Sequence, residues 1–124
     1  MLQMGTHLSI SDNSGARKIE CIKVLNKHPK ASAFLGDLIV ISVNKLRRKG
    51  NIKVKRKDIC LCVIFRTKYR KFRLDGRSFN FFDNSGILLS RNFKPYATRL
   101  FGPIVKELRR QKKLKMVSLG SKFL

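Results

Sequence analysis

Acidic residues are scarce in this sequence. Its 124 residues contain 7 Asp and Glu against 29 Lys and Arg, which gives a formal net charge of +22 and a pI near 10.9. The scarcity disfavours a nuclease, because a two-metal site needs several carboxylates converging on one pocket. Most of the aspartates stand in turns or at strand boundaries, where backbone capping explains them. The candidates for such a site are Asp12, Asp37, Asp58, Asp75 and Asp83. We expect no enzyme and no catalytic residue, and a nuclease is the enzymatic alternative.

Long apolar runs are also missing. The longest run, Ile59–Phe65, has the length of a strand, whereas a helix needs about 20 apolar residues to span a bilayer. Residues 1–10 lack the basic start and apolar block of a signal peptide, and no organelle presequence is evident. The sequence therefore predicts neither a membrane span nor secretion.

Cysteine is rare and odd in number. The three residues Cys21, Cys60 and Cys62 indicate free thiols in a reducing compartment. Cys60 and Cys62 lie in the apolar run, so both would point to one face of a strand. A zinc site would need further ligands, and His7 and His28 are far away in the sequence. We expect small buried side chains, no metal and no cofactor.

Cations, by contrast, run through almost the whole chain. A protein of the membrane surface would concentrate them in one cluster or one amphipathic helix, so their spread favours nucleic acid as the neutralising polyanion. The densest block is Lys45–Lys57, which we interpret as an extended basic hairpin or loop with a solvated loop as the alternative. In Arg66–Arg73 cations alternate with Tyr69 and Phe72, which could stack on bases or only pack the ribbon.

Short strands separated by turns dominate the rest of the pattern. The turns are Asp12–Gly15, Asp75-Gly76 and Asn84–Gly86. The strand candidates are Leu8–Ser11, Ile19–Leu25, Asp37–Val43, Ile59–Phe65, Ser78–Phe82 and Ile87–Leu89. Five or six such strands followed by one late helix predict a mainly β protein, built as a small closed or nearly closed β-barrel. With 43% hydrophobic residues, one domain can form a core of its own.

The segment Thr98–Leu119 combines an apolar and a cationic side. Gly102-Pro103 predicts a helix start, because proline at the first helical position loses no needed N–H. Ile104, Val105 and Leu108 would dock on the body. The opposite face would carry Lys106, Arg109, Arg110 and Lys113. Lys115–Leu119 is a further strand candidate. A solvated basic helix face is the alternative to a working surface.

Several of these motifs resemble, in order, the universal large-subunit ribosomal proteins of the L-fourteen family. The matching segments are Ser11–Lys18 with Cys21–Val24, Gly36-Asp37 with its Ile/Val run, Asp75-Gly76 with Phe81, Asn84, Ile87 and Leu88, Thr98–Pro103, Glu107–Arg109 and Lys115–Leu119. The match is collinear from about Leu2 to Leu124, and the length fits the bacterial type. The sequence departs from the family pattern at Arg48-Lys49-Gly50, at Lys55–Asp58, in the loop Lys27–Phe34 and at the C-terminus.

This resemblance implies a single domain with a five-stranded antiparallel β-barrel over about residues 1–97, a projecting β-ribbon, and a short C-terminal helical region over about 98–124. It implies a structural constituent of the large ribosomal subunit that binds large-subunit rRNA and contributes to the inter-subunit interface. The implied partners are small-subunit rRNA, ribosomal proteins of the L-three and L-nineteen families, and an anti-association silencing factor that docks on the C-terminal region.

The expected site residues follow from the charge pattern together with this resemblance. Those expected to bind rRNA are Asn13, Ser14, Arg17, Lys18, Lys45, Arg47, Arg48, Lys49, Lys53, Lys55, Arg66, Lys68, Arg70, Lys71 and Arg73. Those expected on the inter-subunit or factor-docking surface are Thr98, Arg99, Lys106, Arg109, Arg110 and Lys113. The abundance of Lys, Asn, Ile and Phe favours an organelle, mitochondrion before plastid, with the bacterial cytoplasm as alternative. A free nucleoid or RNA-chaperone barrel would share the charge without requiring the motifs.

Overall fold

The protein is mainly β. The computed structural model describes residues 2–28, 30–110, 118–120 and 122–123. The strands are β1 (His7–Ile10), β2 (Ala16–Val24), β3 (Leu38–Leu46), β4 (Ile59–Arg66), β5 (Lys71–Phe72), β6 (Ser78–Phe79), β7 (Ser85–Leu89), β8 (Pro103–Ile104) and β9 (Lys122–Phe123), and α1 is Glu107–Arg110. In the described part of the chain no helix is long and apolar enough to cross a membrane.

Five strands close into a barrel in the order β1-β2-β3-β4-β7, which confirms the predicted architecture. Four of the five pairings are antiparallel, and the closing pair, β1 with β7, is parallel. An odd number of strands forces this arrangement, because directions that alternate around a closed ring of five must repeat once. Ser9 pairs with Ser85 and Ile10 with Gly86 at this closure.

The barrel interior is filled by alternate residues of the long strands. Ile39, Ile41 and Val43 of β3 are fully buried, while the residues between them are partly exposed, as the two-residue period of a strand requires. Cys60 and Cys62 both pack against this inner cluster, so the predicted common face of these two cysteines is confirmed.

A second apolar cluster lies on the outer face of β4 and β7. Val63 and Phe65 of β4 pack there with Ile87 and Leu89 of β7. Ile104, Val105 and Leu108, also in this cluster, are almost fully buried, so the predicted docking of this apolar side on the body is confirmed. Strands covered on both faces lose their polar alternation, which explains why Cys62–Phe65, the fully buried part of the apolar run, has no polar residue.

The C-terminal segment differs from its prediction. Pro103 and Ile104 form β8, paired in parallel with β9, and α1 begins only after them, at Glu107. The predicted helix start at Gly102-Pro103 is therefore wrong, because this stretch takes a strand partner from the chain's end. Of the predicted strand Lys115–Leu119, Ser118 is helical and Leu119 lies in a turn, and residues 115–117 lie outside the described residues.

Three turn and loop predictions have different outcomes. The hairpin at Asp75-Gly76 is confirmed: β5 and β6 pair antiparallel, and Gly76 has a φ of +88°. The turn predicted at Asn84–Gly86 is wrong, since the bend lies at Phe82-Asp83 and both Ser85 and Gly86 belong to β7. The basic block Lys45–Lys57 contains the end of β3 and then a loop without strands, so it is a loop and not a hairpin.

Candidate nucleic-acid interface

A buried carboxylate shapes the turn between β1 and β2. Asp12 is fully buried, and its Oδ1 accepts hydrogen bonds from the backbone N–H and the hydroxyl of Ser14. Its Oδ2 accepts a hydrogen bond from the N–H of Leu88 on β7, at 3.1 Å. Ser14 is fully buried too. Its side chain therefore builds the turn and is not offered to a partner.

The same turn is joined to the start of the C-terminal segment. Asn13 Oδ1 accepts hydrogen bonds from the N–H groups of Thr98 at 3.0 Å and Arg99 at 3.3 Å. Asn13 Nδ2 donates to the Thr98 hydroxyl at 3.0 Å. Thr98 and Arg99 are exposed. Residues predicted for two separate roles, one toward rRNA and one toward the subunit interface, are thus direct neighbours on one surface.

The loop after β3 is fastened to this turn by its backbone. The N–H of Arg47 donates to the carbonyl of Gly15, and the N–H of Lys53 donates to the carbonyl of Ser14, both at 2.8 Å. Gly15 has a φ of +99°, and a Cβ on it would lie 2.8 Å from the Cα of Ile52, so only glycine allows this approach. Anchored in this way, the loop holds its cations at fixed positions.

A basic cleft lies beside the fastened loop. Its volume is about 580 Å³, and no acidic residue lines it. Within the described ranges, none of its cations forms an ion pair. We call its five cations the basic basin: Arg17 from β2, Lys45 from β3, and Arg48, Arg56 and Lys57 from the loop. All five are exposed. Unpaired like charges this close repel one another until an anion binds.

Arg66, predicted to contact rRNA, makes several contacts within the protein. Its side chain is 13% exposed and pairs with Asp83 at 3.3 Å. The guanidinium donates to the hydroxyls of Ser11 and Ser85. Gly102 approaches so closely, with a φ of +90°, that a Cβ there would collide with Arg66 Nη1. Arg66 therefore joins β1, β7 and the C-terminal segment, and we leave it out of the interface.

Arg73 is also occupied within the protein. It pairs with Glu107 of α1 at 2.8 Å, and its guanidinium lies 4.6 Å from the centroid of the Phe79 ring. The two paired side chains are only 22% and 16% exposed. This contact ties the ribbon, residues 71–79, to the C-terminal segment and leaves Lys106 exposed beside it.

The remaining predicted residues divide by exposure. Those exposed outside the basic basin are Lys18, Lys49, Lys53, Lys55, Lys68 and Arg70 on the rRNA side and Lys106 on the C-terminal side. Asn13, Arg47 and Lys71 are half-buried, and Arg47 stacks on Phe101 at 5.5 Å. Arg109 and Arg110 lie in α1, and Lys113 lies outside the described residues. Arg56 and Lys57 of the basic basin were not among the individually predicted residues, although both stand in the charge block Lys45–Lys57.

The three thiols belong to the barrel interior. Burial raises the pKa of Cys62 well above its ordinary value of 9.0. Burial also raises the pKa of Cys21 and of Cys60, with nearby Asp58 adding to the effect at Cys60. All three are free. Among the described residues no three His, Cys, Asp or Glu side chains are grouped as metal ligands.

One comparison with known proteins bears on the whole chain. The model of the family described as ribosomal protein L14p/L23e matches residues 1–124.

Proposed function

Since the chain belongs to the ribosomal protein L14p/L23e family, it is a structural protein of the large ribosomal subunit, and we propose that the basic basin is where it binds rRNA. The single observation that carries this proposal is the basin itself. Five exposed cations from two strands and one fastened loop surround a cleft that no acidic residue lines.

The chemistry of the basin suits an RNA backbone. Arginine can bind two phosphate oxygens at once, and lysine adds a mobile point charge. Each neutralised phosphate releases counterions, which stabilises the complex most at low salt. Because the cations come from rigid elements, they match a fixed arrangement of phosphates, so recognition follows RNA shape more than base sequence. Lys18, Lys49, Lys53, Lys55, Lys68, Arg70 and Lys71 extend the positive surface around the basin.

We assign a second surface to the inter-subunit face. It consists of Thr98, Arg99 and Lys106, with Arg109, Arg110 and Lys113 following in the sequence. Here the protein would meet small-subunit rRNA or an anti-association silencing factor, and proteins of the L-three and L-nineteen families would be its neighbours. The support is that Asn13 holds Thr98 and Arg99 in place while both stay exposed. Replacing Arg109 and Arg110 by Ala should weaken subunit joining or factor docking more than folding.

We further infer an organellar ribosome, the mitochondrion first and the plastid second, with a bacterial ribosome as alternative. The support is compositional: the sequence is rich in the residues that AT-rich codons encode, namely Lys, Asn, Ile and Phe.

Sedimentation tests the proposed function. A tag at the N-terminus avoids β9 near the C-terminus, and lysate in magnesium buffer is run on a sucrose gradient. We expect the protein with the large subunit and with whole ribosomes, and its release after RNA digestion or magnesium depletion. A position at the top of the gradient, or with genomic DNA, would contradict the proposal and favour a free nucleic-acid-binding barrel.

The basin itself is tested by the triple variant Arg17→Ala, Arg48→Ala, Arg56→Ala. We expect a folded protein whose incorporation into the large subunit falls and whose affinity for rRNA fragments depends less on salt. The matched control also removes three exposed positive charges, all outside the basin: Arg77→Ala, Arg91→Ala, Lys94→Ala. Equal losses for the triple variant and the control would mean that charge alone, not the basin, carries the binding.

A further inference from the structure

Phe82 is a highly exposed aromatic residue. This side chain is 99% exposed, in the bend between β6 and β7, and it contacts no other ring among the described residues. A single exposed apolar residue is ordinary on a protein surface. Phe82, however, lies at the border of a cleft of about 530 Å³, which falls within the size range of small-molecule sites, about 300–1,000 Å³.

The cleft below Phe82 is cationic. Lys18, Lys45 and Lys68 line it, and within the described ranges none of the three forms an ion pair. The acidic residue that lines it, Asp83, already accepts a hydrogen bond from the Ser85 hydroxyl at 2.6 Å and pairs with Arg66 at 3.3 Å. The free positive charge of the cleft therefore exceeds its negative charge, which favours an anionic ligand.

The walls of this cleft are fixed by hydrogen bonds. Asn84 Oδ1 accepts from the N–H of Lys68 at 2.9 Å, and the carbonyl of Asn84 accepts from the Ser9 hydroxyl at 3.1 Å. On the opposite wall, Asn44 Nδ2 lies 3.4 Å from His7 Nδ1. A site whose walls are already ordered loses little conformational entropy when a ligand binds.

The cleft adjoins the basic basin. Asn44 and Lys45, at the end of β3, line both. An RNA strand whose phosphates occupy the basin therefore has a path past Lys45 to Phe82. A flat aromatic ring beside a row of cations is the arrangement that proteins use to stack bases of single-stranded nucleic acid.

We propose that this cleft binds one unpaired nucleotide of the large-subunit rRNA, with its base stacked on Phe82 and its phosphates between Lys18, Lys45 and Lys68. The proposal rests on the proposed function and adds the kind of RNA that this part of the surface takes. A paired helix would offer phosphates but no free base face, so it would leave Phe82 uncovered.

The test uses large subunits isolated from cells that carry the full-length chain or a variant. The variants are Phe82→Leu, which keeps an apolar side chain but loses the ring, Phe82→Tyr, which keeps the ring, and the control Phe93→Leu, at a residue 59% exposed elsewhere. The rRNA is probed with dimethyl sulfate and carbodiimide. We expect one or two unpaired bases to gain reactivity with Phe82→Leu, and none of these bases to respond to Phe82→Tyr or Phe93→Leu.

A binding measurement with purified full-length protein complements the probing. With a single-stranded 12-nucleotide oligouridylate at 150 mM KCl, Phe82→Leu should weaken binding about tenfold. With a 12-base-pair RNA duplex the change should stay within about twofold, since a duplex offers no base face for stacking.

The outcomes distinguish a failure of the nucleotide site from a failure of the proposed function. If the protein is in the large subunit and no base responds to Phe82→Leu, the nucleotide site is refuted while the proposed function stands. Equal weakening for single-stranded and duplex RNA also refutes it. If the parent protein does not sediment with the subunit, the proposed function fails first and this site with it.

Discussion

Arg66 and Arg48 carry the same guanidinium in opposite surroundings. Arg66 has hydroxyl partners and an ion pair with Asp83, whereas Arg48 lines a cleft without an acidic residue. The difference follows the distribution of the seven acids. Each has a polar partner within the protein: four form ion pairs, and Asp12, Glu20 and Asp58 accept hydrogen bonds. Arg66 lies beside an acidic residue and stabilises the fold. Arg48 has no acidic residue beside it, so its guanidinium remains available to bind a ligand.

The largest expected effect is at the buried side of this comparison. Asp12→Ala removes the acceptor for the N–H groups of Ser14 and Leu88, which stay buried without a partner. Unsatisfied buried donors cost about 1–3 kcal/mol each, so the free energy of unfolding should fall by about 3 kcal/mol. Urea unfolding followed by circular dichroism measures it. The control Asp75→Ala, at the exposed ribbon tip, should cost about 0.5 kcal/mol. Similar losses for both variants would contradict the structural role of Asp12.

Replacing each of the two arginines by alanine compares their roles directly. Arg66→Ala should lower the free energy of unfolding by about 2 kcal/mol, because its hydroxyl partners and Asp83 lose their donor. Arg48→Ala should leave stability within about 0.5 kcal/mol. It should reduce the slope of log affinity against log salt for an rRNA fragment by about 0.7–0.9. Urea unfolding and a salt titration of RNA binding measure the two effects. If Arg48→Ala destabilised the fold while Arg66→Ala changed the salt slope, the assignment would be reversed.

pH sharpens the contrast between interior and surface. Burial raises the pKa of Cys62 well above 9.0, so the folded thiol stays protonated where the unfolded thiol ionises. The unfolded state then binds fewer protons, and stability is full below pH 9 and falls as pH rises above it. The slope contributed by this thiol is at most about 1.4 kcal/mol per pH unit.

Urea unfolding at pH 8, 9 and 10 measures this slope, and Cys62→Ala serves as the comparison. The variant should be less stable at every pH because of its cavity, but its stability should fall less steeply above pH 9. Parallel curves would show that the Cys62 thiol does not ionise on unfolding. Every other titratable group is common to both proteins, so the difference between the two slopes isolates the Cys62 thiol.

The smallest expected effect is at the ribbon. Glu107→Gln weakens the ion pair between residues 107 and 73. Because solvent partly screens this pair, the free energy of unfolding should fall by about 0.5 kcal/mol. Hydrogen exchange of the hairpin amides, such as that of Gly76, which donates to the carbonyl of Arg73, should become about twofold faster. Arg77→Gln, at an exposed pair, should leave these rates unchanged. Faster exchange in both variants would mean that the ribbon tip, not its tie to α1, sets the rates.

The barrel could be predicted because its signals are local. The two-residue alternation of β3, the apolar run of β4 and the Asp75-Gly76 turn each lie within a few residues. The C-terminal segment could not be predicted in the same way. Gly102-Pro103 suits a helix start and a strand equally, and the choice depends on β9, which pairs with Pro103 from position 122.

The site was predictable only as a set of cations. Composition and spacing correctly indicated where positive charge gathers, but they could not separate Arg66 and Arg73 from Arg17 and Arg48. That separation depends on Asp83 and Glu107, which stand 17 and 34 residues away from their partners in the sequence and close to them in space. The exposure of Phe82 could not be predicted for the same reason, since nothing in the local sequence distinguishes it from the half-buried Phe81 beside it.

The parallel closure between β1 and β7 also affects how the chain folds. Its contacts join the start of the chain to residues about 75 positions later: Ser9 donates to the carbonyl of Asn84, and Asp12 accepts from Leu88. β1 to β4 precede β7 in the sequence. We therefore expect them to pair first during synthesis, with β1 and β4 as unpaired edges until β7 is available. Open edges invite pairing with other chains, and such delayed long-range pairing is slow. We expect the cations of β2 and β3 to oppose pairing with other chains, because chains of like charge repel one another.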